Sequence, residues 1–335
     1  MKVTIKNVAQ RAKVAISTVS LVINQKEKVS EATRQKVLAA MRELNYRPNR
    51  AAQGLAGKLT GNVGFIVSEE HFTRSEPFYT HIFIGSEFEA RNHNVYVLLT
   101  VVGNTFRGKK DAPRFLLDRN VDGILIAGRV PYELIRYLSK YKLPLVFIDF
   151  LPQKGPAQAI LIDNMESGRQ AVTHLIQRGR RRIAFIAGDI GHPSIHDRFR
   201  GYQKALHEHH LAFDPDLTID SEPEPTFKYG FEAGNKLLAK KKKFDAIFAA
   251  NDALALGCLR SLTEQGLRVP EDVALIGCDD VVAASLANPP LSTVRVNKEE
   301  MGILALKSLM DIINTNKVPN MKILVPTTLI IRKTT

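Results

Sequence analysis

VTIKNVAQRAKVAISTVSLVINQ, residues 3–25, contains two short helical patterns separated by a basic turn at residues 13–15. Thr4 is placed to cap the first helix. Isolated helices shorter than about 12 residues are marginal in water, so both helices require a partner that covers their apolar faces. Those faces follow the i, i+3, i+4, i+7 spacing of a helix, with Ile5, Val8, Ala9 and Ala12 in the first and Val19, Val22 and Ile23 in the second.

The partner is a third predicted helix, which begins after Ser30 as its N-cap. Three short helices around one small core predict a helix-turn-helix domain over residues 1–48. Other three-helix bundles show a similar pattern, so this segment alone leaves the function open. The inward side chains of the third helix are expected to be Val37, Leu38, Met41 and Leu44.

A polar face of the second helix, rich in Ser and Thr, is left outside this small core. In helix-turn-helix proteins the second helix enters the major groove, where its side chains meet base edges. Phosphate contacts fix the position of the protein, and base contacts give sequence preference. We therefore expect base contacts from Ile16, Ser17 and Leu21, phosphate contacts from Asn24, Ser30 and Thr33, and further DNA contacts from Thr4, Thr18 and Ser20.

Residues 49–60 follow Pro48, which ends the preceding helix. Asn49 is placed to cap a short helix over RAAQGLA, and a helix of this length is unstable alone. One interpretation is a simple linker. The other is a hinge helix that folds on DNA and inserts Leu55 between base steps of the minor groove. The second interpretation predicts DNA contacts from Asn49, Ala52, Leu55 and Ala56.

The net charge of +13 is concentrated at the N-terminal end of the chain. Residues 1–60 carry 12 Lys/Arg and 3 Asp/Glu, whereas the remaining residues carry 35 and 31. A local basic excess on a small domain favours a polyanion as partner. A membrane surface is the competing partner, but no basic amphipathic helix with large apolar residues is visible there.

The two cysteines, Cys258 and Cys278, lie in apolar surroundings, which is typical of buried free thiols in a reducing cytoplasm. No His or Cys pattern has metal-ligand spacing, and HEHH at 207–210 does not gather its imidazoles on one helix face. No run of about 18 apolar residues and no signal peptide is seen. We expect a cytoplasmic protein without membrane span, metal or cofactor.

Beyond residue 61 short apolar runs alternate with helical stretches. This alternation predicts parallel sheets covered by helices, hence an α/β region over residues 61–335. A break near 150–161 separates two halves. The predicted strands contain NVGFIV, VYVLLT, GILIA and PLVFID in the first half, and RIAFIAG, DAIFAA and VALIGC in the second.

Polar residues follow several of these strands. Ligands of open α/β sheets bind outside the carboxyl ends of the strands, so these positions are candidates for a binding site. Carboxylate, amide and guanidinium groups beside an aromatic ring suit a polyhydroxylated or heterocyclic ligand. For each Asp, capping of the following helix is an equal alternative, and Asp252 and Asp280 look more like caps or contacts between subdomains. The positions are Asp149, Phe150, Asp163, Asn164, Asn251, Asp252, Asp279 and Asp280, with Arg198 near the start of a helix.

Several motifs together give the chain a resemblance to one family. TIKNVAQRAKVAISTVSLVIN, VSEATRQKV, YRPNRAAQGLAGK, DRFRGY, FAANDALALG, LRVPEDVALIGCDD and PPLSTVR cover nearly its whole length. They resemble the lactose-repressor/galactose-repressor family of bacterial transcription regulators. The resemblance implies an N-terminal helix-turn-helix domain, a hinge helix, and a periplasmic-binding-protein-like core of two subdomains around a cleft.

The resemblance also implies subdomain limits and an effector site. The N-subdomain would cover about 61–160 and 291–320, and the C-subdomain about 161–290 and 321–335. Phe78 or Tyr79 matches the aromatic residue after the first strand, while Pro225 stands where relatives often carry a pocket aromatic. The effector contacts implied or predicted are Phe78, Tyr79, Asp149, Phe150, Asp163, Arg198, Asn251 and Asp279.

Three departures from the family pattern lie in the DNA-binding segment. Lys13 replaces the usual Gly of the turn, and Ala15 replaces the Ser that caps the recognition helix. Leu21 replaces an Arg, and because Leu touches only apolar surface such as a thymine methyl, the preferred operator should differ there.

These observations predict a sequence-specific DNA-binding transcription regulator, a repressor switched by a sugar, sugar derivative or nucleobase. It would bind a near-palindromic operator as a homodimer, with a tetramer left open, and associate with the nucleoid. A sugar-binding transport protein would share the core but lack residues 1–58. An enzyme is disfavoured because no nucleophile elbow or phosphate-binding loop is present.

Overall fold

The computed structural model describes residues 3–23, 29–46, 59–72, 77–152, 157–220, 225–240 and 242–335. They belong to two compact units, Met1–Gly61 and Asn62–Thr335. Within the described ranges, no helix has the length and apolar character that crossing a bilayer requires.

The described residues of the N-terminal unit form three helices, α1 (Ile5–Ala12), α2 (Ile16–Ile23) and α3 (Glu31–Glu43). The predicted apolar faces of α1 and α2 are confirmed, since both pack into one small buried cluster. One inward residue of α3 was predicted wrongly, because Leu38 is 36% exposed and Ala40 is buried instead. The inward face of α3 follows the spacing 37, 40, 41 and 44, and Leu38 falls outside it. The buried residues of this cluster are Val8, Ala9, Ala12, Val19, Val22, Val37 and Ala40.

The turn between α1 and α2 closes without a glycine. Lys13 adopts a left-handed conformation with φ 55°, a region that costs a residue with a Cβ about 1–2 kcal/mol. The carbonyls at the end of α1 are nevertheless satisfied, because Val14 N donates to Ala9 O at 3.0 Å and Lys13 N donates to Gln10 O at 3.3 Å. Lys13, which stands where the turn usually has a Gly, is therefore held in a strained backbone conformation.

The first sheet of the C-terminal unit has six parallel strands in the order β11-β5-β4-β3-β1-β2. The strands are β1 (Asn62–Ser68), β2 (Tyr96–Val102), β3 (Ile124–Ala127), β4 (Leu145–Ile148), β5 (Gln158–Ile162) and β11 (Lys322–Val325).

The second sheet also has six strands, in the order β12-β10-β9-β8-β6-β7, and only β12 runs antiparallel to its neighbour. The strands are β6 (Ile183–Ile186), β7 (Thr218–Ile219), β8 (Ala246–Ala249), β9 (Ala274–Asp279), β10 (Ser292–Val296) and β12 (Thr327–Ile330). The seven strands quoted from the sequence are all present, and the predicted α/β class is confirmed.

Helices cover both faces of each sheet, because alternate strand residues are apolar on both sides. In the first sheet α4 and α12 pack on one face, while α5 and α6 cover a separate apolar cluster on the other. The helices are α4 (Phe78–Asn92), α5 (Arg114–Leu117), α6 (Tyr132–Leu138), α7 (Asn164–Gln177), α8 (Pro193–Glu208), α9 (Phe227–Ala239), α10 (Asp252–Glu264), α11 (Val282–Leu286) and α12 (Lys298–Thr315).

Each sheet with its covering helices forms one lobe of the C-terminal unit. The chain crosses from one lobe to the other a few residues further along the sequence than predicted. β10 was expected in the first lobe but pairs with β9 and β12 of the second sheet. β11 was expected in the second lobe but pairs with β5 of the first sheet. The strand pairing places the crossings between lobes near residues 163, 297 and 326. The predicted subdomain limits, 160, 291–320 and 321–335, are therefore wrong by a few residues.

Three helix pairs, α4 with α12, α7 with α8, and α9 with α10, approach each other closely enough for backbone contact. Each pair has one glycine on each helix at the contact, and a Cβ at any of these positions would come within about 2 Å of a carbonyl oxygen of the partner helix. A side chain there would separate the helices. The glycines are Gly85 and Gly302, Gly168 and Gly201, and Gly230 and Gly257.

Candidate functional site

Helix α2 of the N-terminal unit presents the face that was predicted to read bases. Ile16 is 45% exposed and Ser17 is exposed, whereas Val19 and Val22 are buried on the opposite face. The remaining candidates on this helix, Thr18, Ser20 and Leu21, are half-buried.

Thr4, Ser30 and Thr33 lie at the starts of helices and are at least partly exposed. The backbone N and the hydroxyl of Thr4 both donate to Asn7 Oδ1, at 2.9 and 2.7 Å. Ser30 Oγ accepts from Thr33 N at 3.4 Å, so its predicted role as an N-cap is confirmed. The other predicted DNA contacts lie outside the described residues, namely Asn24, Asn49, Ala52, Leu55 and Ala56.

In the C-terminal unit, Asp149 lies directly after β4 and links the two lobes. Its backbone adopts a left-handed conformation with φ 54°. Asp149 Oδ2 accepts from the hydroxyl of Tyr79 in α4 at 2.9 Å, and Oδ1 accepts from the hydroxyl of Ser194 in α8 at 3.2 Å. One carboxylate thus joins a tyrosine of the first lobe to a serine of the second.

Arg198 lies one helical turn after Ser194 and is only 5% exposed. Its guanidinium donates to Asn164 Oδ1 at 2.8 Å, to the carbonyl of Ala250 at 2.5 Å and to Asp279 Oδ1 at 3.3 Å. Five donors in a rigid plane allow one arginine to satisfy acceptors from several elements at once. Arg198 therefore joins α7, β8 and β9 at the carboxyl ends of the strands.

Asp279 ends β9 with φ 114°, which turns its carboxylate toward Arg198. The Asp279 carbonyl accepts a hydrogen bond from Lys298 Nζ at the start of α12. The same ammonium lies 5.6 Å from the centre of the Phe78 ring in α4. Lys298 therefore connects the second lobe to the first at the segment where the chain crosses between them.

Burial shifts the pKa values of the acidic groups in this network. It raises the pKa values of Asp149 and Asp279 above the usual range for Asp, although the Arg198 charge acts in the opposite direction on both. Burial also raises the pKa of Tyr79, and repulsion from the Asp149 charge adds to the effect. Tyr79 consequently remains a hydrogen-bond donor at neutral pH.

Two predicted aromatic contacts face different surroundings. Phe78 is half-buried beside Lys298 and packs edge-on against Tyr79, with ring centres 5.0 Å apart. Phe150 instead lines a cavity of about 480 Å³ in the first lobe, together with Ser68, Asn104, Arg129, Tyr132 and others.

Two other candidates are used as helix caps. Asp163 Oδ1 accepts from Glu166 N at 3.0 Å at the start of α7. Asn251 Oδ1 accepts from Leu254 N at 2.9 Å at the start of α10, and its amide donates to the carbonyl of Pro225 at 2.9 Å. Helix capping, the alternative role predicted for each strand-end Asp, is therefore the role of Asp163.

The structure brings Tyr79, Asp149, Arg198 and Asp279 into one polar network, to which it adds Ser194 and Lys298, two residues that the sequence analysis did not predict. Ser194 was detectable in principle, since it precedes Arg198 by four residues and so shares its helix face. Lys298 had no comparable signal, because its role depends on where the chain crosses between lobes. In the described part of the chain, no group of three or more His, Cys, Asp or Glu residues is arranged to hold a metal ion.

Comparison with known proteins gives matches to both units. Residues 4–49 match the model of the bacterial regulatory proteins of the lacI family, and residues 172–335 match the periplasmic binding protein-like domain. The transcriptional repressor PurR of Pasteurella multocida is 34% identical over 98% of this chain and 98% of its own. PurR of Haemophilus influenzae, strain Rd, is 34% identical over 92% of this chain and 90% of its own.

Solved structures agree with this assignment. The Lac repressor dimer bound to operator and the anti-inducer ONPF has a TM-score of 0.81, 30% identity, and coverage of 100% of this chain and 99% of its own. The transcriptional regulator CelR in complex with cellobiose has a TM-score of 0.74, 33% identity, and coverage of 99% and 100%. The chain belongs to the lacI family of bacterial regulatory proteins and is a DNA-binding transcription repressor switched by a small-molecule effector.

Proposed function

We propose that this repressor holds its effector between the two lobes of Asn62–Thr335 and that Tyr79, Asp149, Arg198 and Asp279 are the polar groups of the site. The observation that carries this proposal is the pair of hydrogen bonds from Tyr79 and Ser194 to Asp149, because they join the two lobes through one half-buried carboxylate. A ligand that breaks these hydrogen bonds and forms its own with the same side chains changes how the lobes are held together.

The chemistry of the network favours a small polar metabolite. Carboxylates accept hydrogen bonds and Arg198 donates them, so hydroxyl groups or the polar edge of a heterocycle find partners of both kinds. Phe78 and Tyr79 supply apolar ring surface next to these groups. The effector moves the equilibrium between lobe arrangements only by its difference in affinity for them.

The DNA side of the proposal rests on α2. Ile16, Ser17 and Leu21 contact bases, while Ser30, Thr33 and the basic residues of the N-terminal unit contact phosphates. The protein acts as a dimer, because two copies of this unit read the two halves of a near-palindromic operator. Exposed apolar residues in and beside the edge strand β2 support self-association, namely Phe88, Tyr96, Leu99 and Val101, which are 52, 67, 36 and 43% exposed.

This role also places the protein in the cell. A bacterial repressor works on the chromosome, so the proposal puts the chain in the cytoplasm, associated with the nucleoid while it is bound to its operator. No reaction is assigned to the cleft, since every polar group in the network is accounted for by binding.

The test starts from an operator selected from random DNA with the full chain. Specific binding should weaken steeply as salt is raised, because phosphate contacts release counterions. Sugars, sugar phosphates and nucleobases are then added, and operator affinity and melting temperature are measured on the same preparation. A ligand that raises the melting temperature and also changes operator affinity supports the proposal.

Ser17→Ala should weaken operator binding, whereas Ser139→Ala, an exposed serine of the C-terminal unit, should leave it unchanged. Equal operator affinity in wild type and Ser17→Ala would remove Ser17 from the reading surface. Ligand binding without any change in operator affinity would contradict the switch.

A further inference from the structure

Three nitrogen-bearing side chains beside the Asp149 network make no hydrogen bond or ion pair within the described part of the chain. His71 follows β1 and Arg129 follows β3 in the first lobe, and His192 immediately precedes α8 in the second. Nε2 of His71 is buried without a partner. The side chain of His192 stands at the N-cap position of α8 but makes no capping bond. Buried polar groups are nearly always hydrogen-bonded, so this unpartnered imidazole nitrogen at the lobe boundary offers a ligand a point of attachment.

The position of His71 is fixed by its surroundings. Its ring lies 4.9 Å from the ring of Tyr79, whose hydroxyl donates to Asp149. On its other side is Gly128, with φ 73°, where a Cβ would come within 2.6 Å of His71 Cδ2 and 2.9 Å of the Tyr79 ring. The backbone at this point leaves room only for a glycine, and the imidazole packs against it.

Arg129 directly follows Gly128 and is exposed. It lines the cavity of about 480 Å³ that also contains Ser68, Asn104 and Phe150. Glu70 lines the same cavity but forms no ion pair with Arg129. A permanently charged guanidinium therefore lines this cavity, and within the described residues its donors have no protein partner.

The electrostatics of the two imidazoles agree with an unfilled anion site. Burial lowers the pKa of His71 to about 4; the Asp149 charge raises it, and His192 and Arg129 lower it further. Burial lowers the pKa of His192 as well, with Arg198 and Arg129 acting in the same direction and Asp189 against them. The lowered pKa values keep both imidazoles neutral at pH 7, and a negative group bound beside them would favour their charged form.

Three of the nearby carboxylates are already committed. Asp149 accepts from Tyr79 and Ser194, and Asp279 pairs with Arg198. Asp189 accepts from Gly191 N at 2.9 Å within its own turn. Among the described residues no carboxylate forms an ion pair with Arg129, His71 or His192, so a bound anion would supply one.

On the basis of the proposed function, we propose that the effector carries an anionic group, a carboxylate or a phosphate ester, and that this group binds among His71, Arg129 and His192. Arg129 offers a bidentate fork for such an oxyanion, and each histidine adds a donor. Because His71 and Arg129 belong to the first lobe and His192 to the second, the anion joins the lobes. Protons taken up by the histidines become part of the binding reaction.

The test is a histidine NMR titration of the full chain, with signals assigned from His71→Gln and His192→Gln. Titrations are recorded at equal ionic strength in chloride, inorganic phosphate, gluconate and glucose 6-phosphate, with neutral glucose as the uncharged comparison. Bound anion should raise the pKa of both histidines by about one unit or more, because an opposite charge nearby favours the protonated form. The signal of His207, which is exposed on α8, should not respond.

Arg129→Gln should abolish the anion effect, and Arg136→Gln, an exposed arginine on the adjacent α6, should leave it intact. Gluconate and glucose 6-phosphate distinguish a carboxylate from a phosphate as the natural group. Titration curves that no anion moves, an equal response to glucose, or a full response in Arg129→Gln each overturn the anion site. A neutral ligand that switches operator binding while no anion moves the histidines would leave the proposed function standing and remove this inference alone.

Discussion

The N-terminal unit and the C-terminal unit differ in how they carry the residues proposed to bind DNA and effector. In the first, Ile16 and Ser17 of α2 are exposed and belong to no buried cluster. In the second, Arg198 is 5% exposed and makes three hydrogen bonds within the protein. The surface proposed to contact DNA is therefore separate from the small core, whereas the groups proposed to bind the effector also hold the lobes together.

This contrast predicts how substitutions act. A substitution on the exposed face of α2 should change operator binding with little effect on folding. A substitution in the buried network should change both, because an unpaired buried partner carries its full desolvation cost. Four predictions test the contrast, beginning with the largest expected effect.

Arg198→Ala should lower the free energy of unfolding of the C-terminal unit by about 3–5 kcal/mol, since it breaks a buried ion pair and leaves Asp279 and Asn164 without partners. It should also abolish the response to effector in the fraction that remains folded. Denaturant unfolding followed by operator binding measures both. Arg200→Ala is the matched control, because Arg200 is exposed on the same helix and its ion pair with Asp197 spans 3.7 Å. A change in the Arg198 variant as small as in the control would contradict the structural role.

His71 should make the C-terminal unit less stable in acid. Its pKa is lowered to about 4 in the folded state, so the unfolded state binds the proton more tightly and the stabilisation present above pH 6.5 is lost as pH falls toward 4. The loss amounts to about 3 kcal/mol. His71→Gln should remove this component, so the difference in unfolding free energy between variant and wild type should depend on pH. A constant difference from pH 7 to 4 would rule out the shift.

Leu21→Arg should change the preferred base in each operator half-site. A bidentate contact from arginine to guanine is worth roughly 1–3 kcal/mol of discrimination. The melting temperature should stay close to that of wild type, because Leu21 lies outside the buried cluster of the N-terminal unit. Selection from random DNA gives the result. An unchanged consensus sequence would show that residue 21 does not face a base.

Lys13→Gly should stabilise the N-terminal unit by about 1 kcal/mol or less. Glycine relieves the left-handed backbone at φ 55°, while its greater freedom in the unfolded chain offsets part of the gain. Thermal unfolding of this unit, followed separately from that of the C-terminal unit, measures the effect. Lys6→Gly, on the exposed face of the neighbouring α1, should destabilise instead.

Regular patterns made much of the fold predictable from the sequence. The period of α1 and α2 identified their buried faces, and the apolar runs identified seven strands of the two sheets. The crossings between lobes were displaced because β10 and β11 are short, and their neighbours are set by main-chain pairing far away in sequence. Leu38 was misplaced because two adjacent apolar residues fit one helix face almost equally well.

Site residues were predictable where a polar residue directly follows a strand. They were less predictable where their hydrogen-bond partners come from the other lobe. Asp149 and Asp279 stand at strand ends, and the sequence pointed to both. The contacts of Asp149 with Tyr79 and Ser194 depend on the apposition of two lobes, which no local pattern encodes. Asp163 shows the reverse, since this strand-end Asp caps the helix that begins at the next residue.

The reciprocal glycines between paired helices bear on how this protein can acquire new ligands. Gly168 and Gly201 hold α7 and α8 at backbone contact, and this spacing brings Asn164 within 2.8 Å of Arg198. A library that randomises cleft side chains while keeping these glycines explores new specificities on an unchanged frame. A library that includes the glycines alters the frame itself, and most of its members should be lost to misfolding before any ligand is tested.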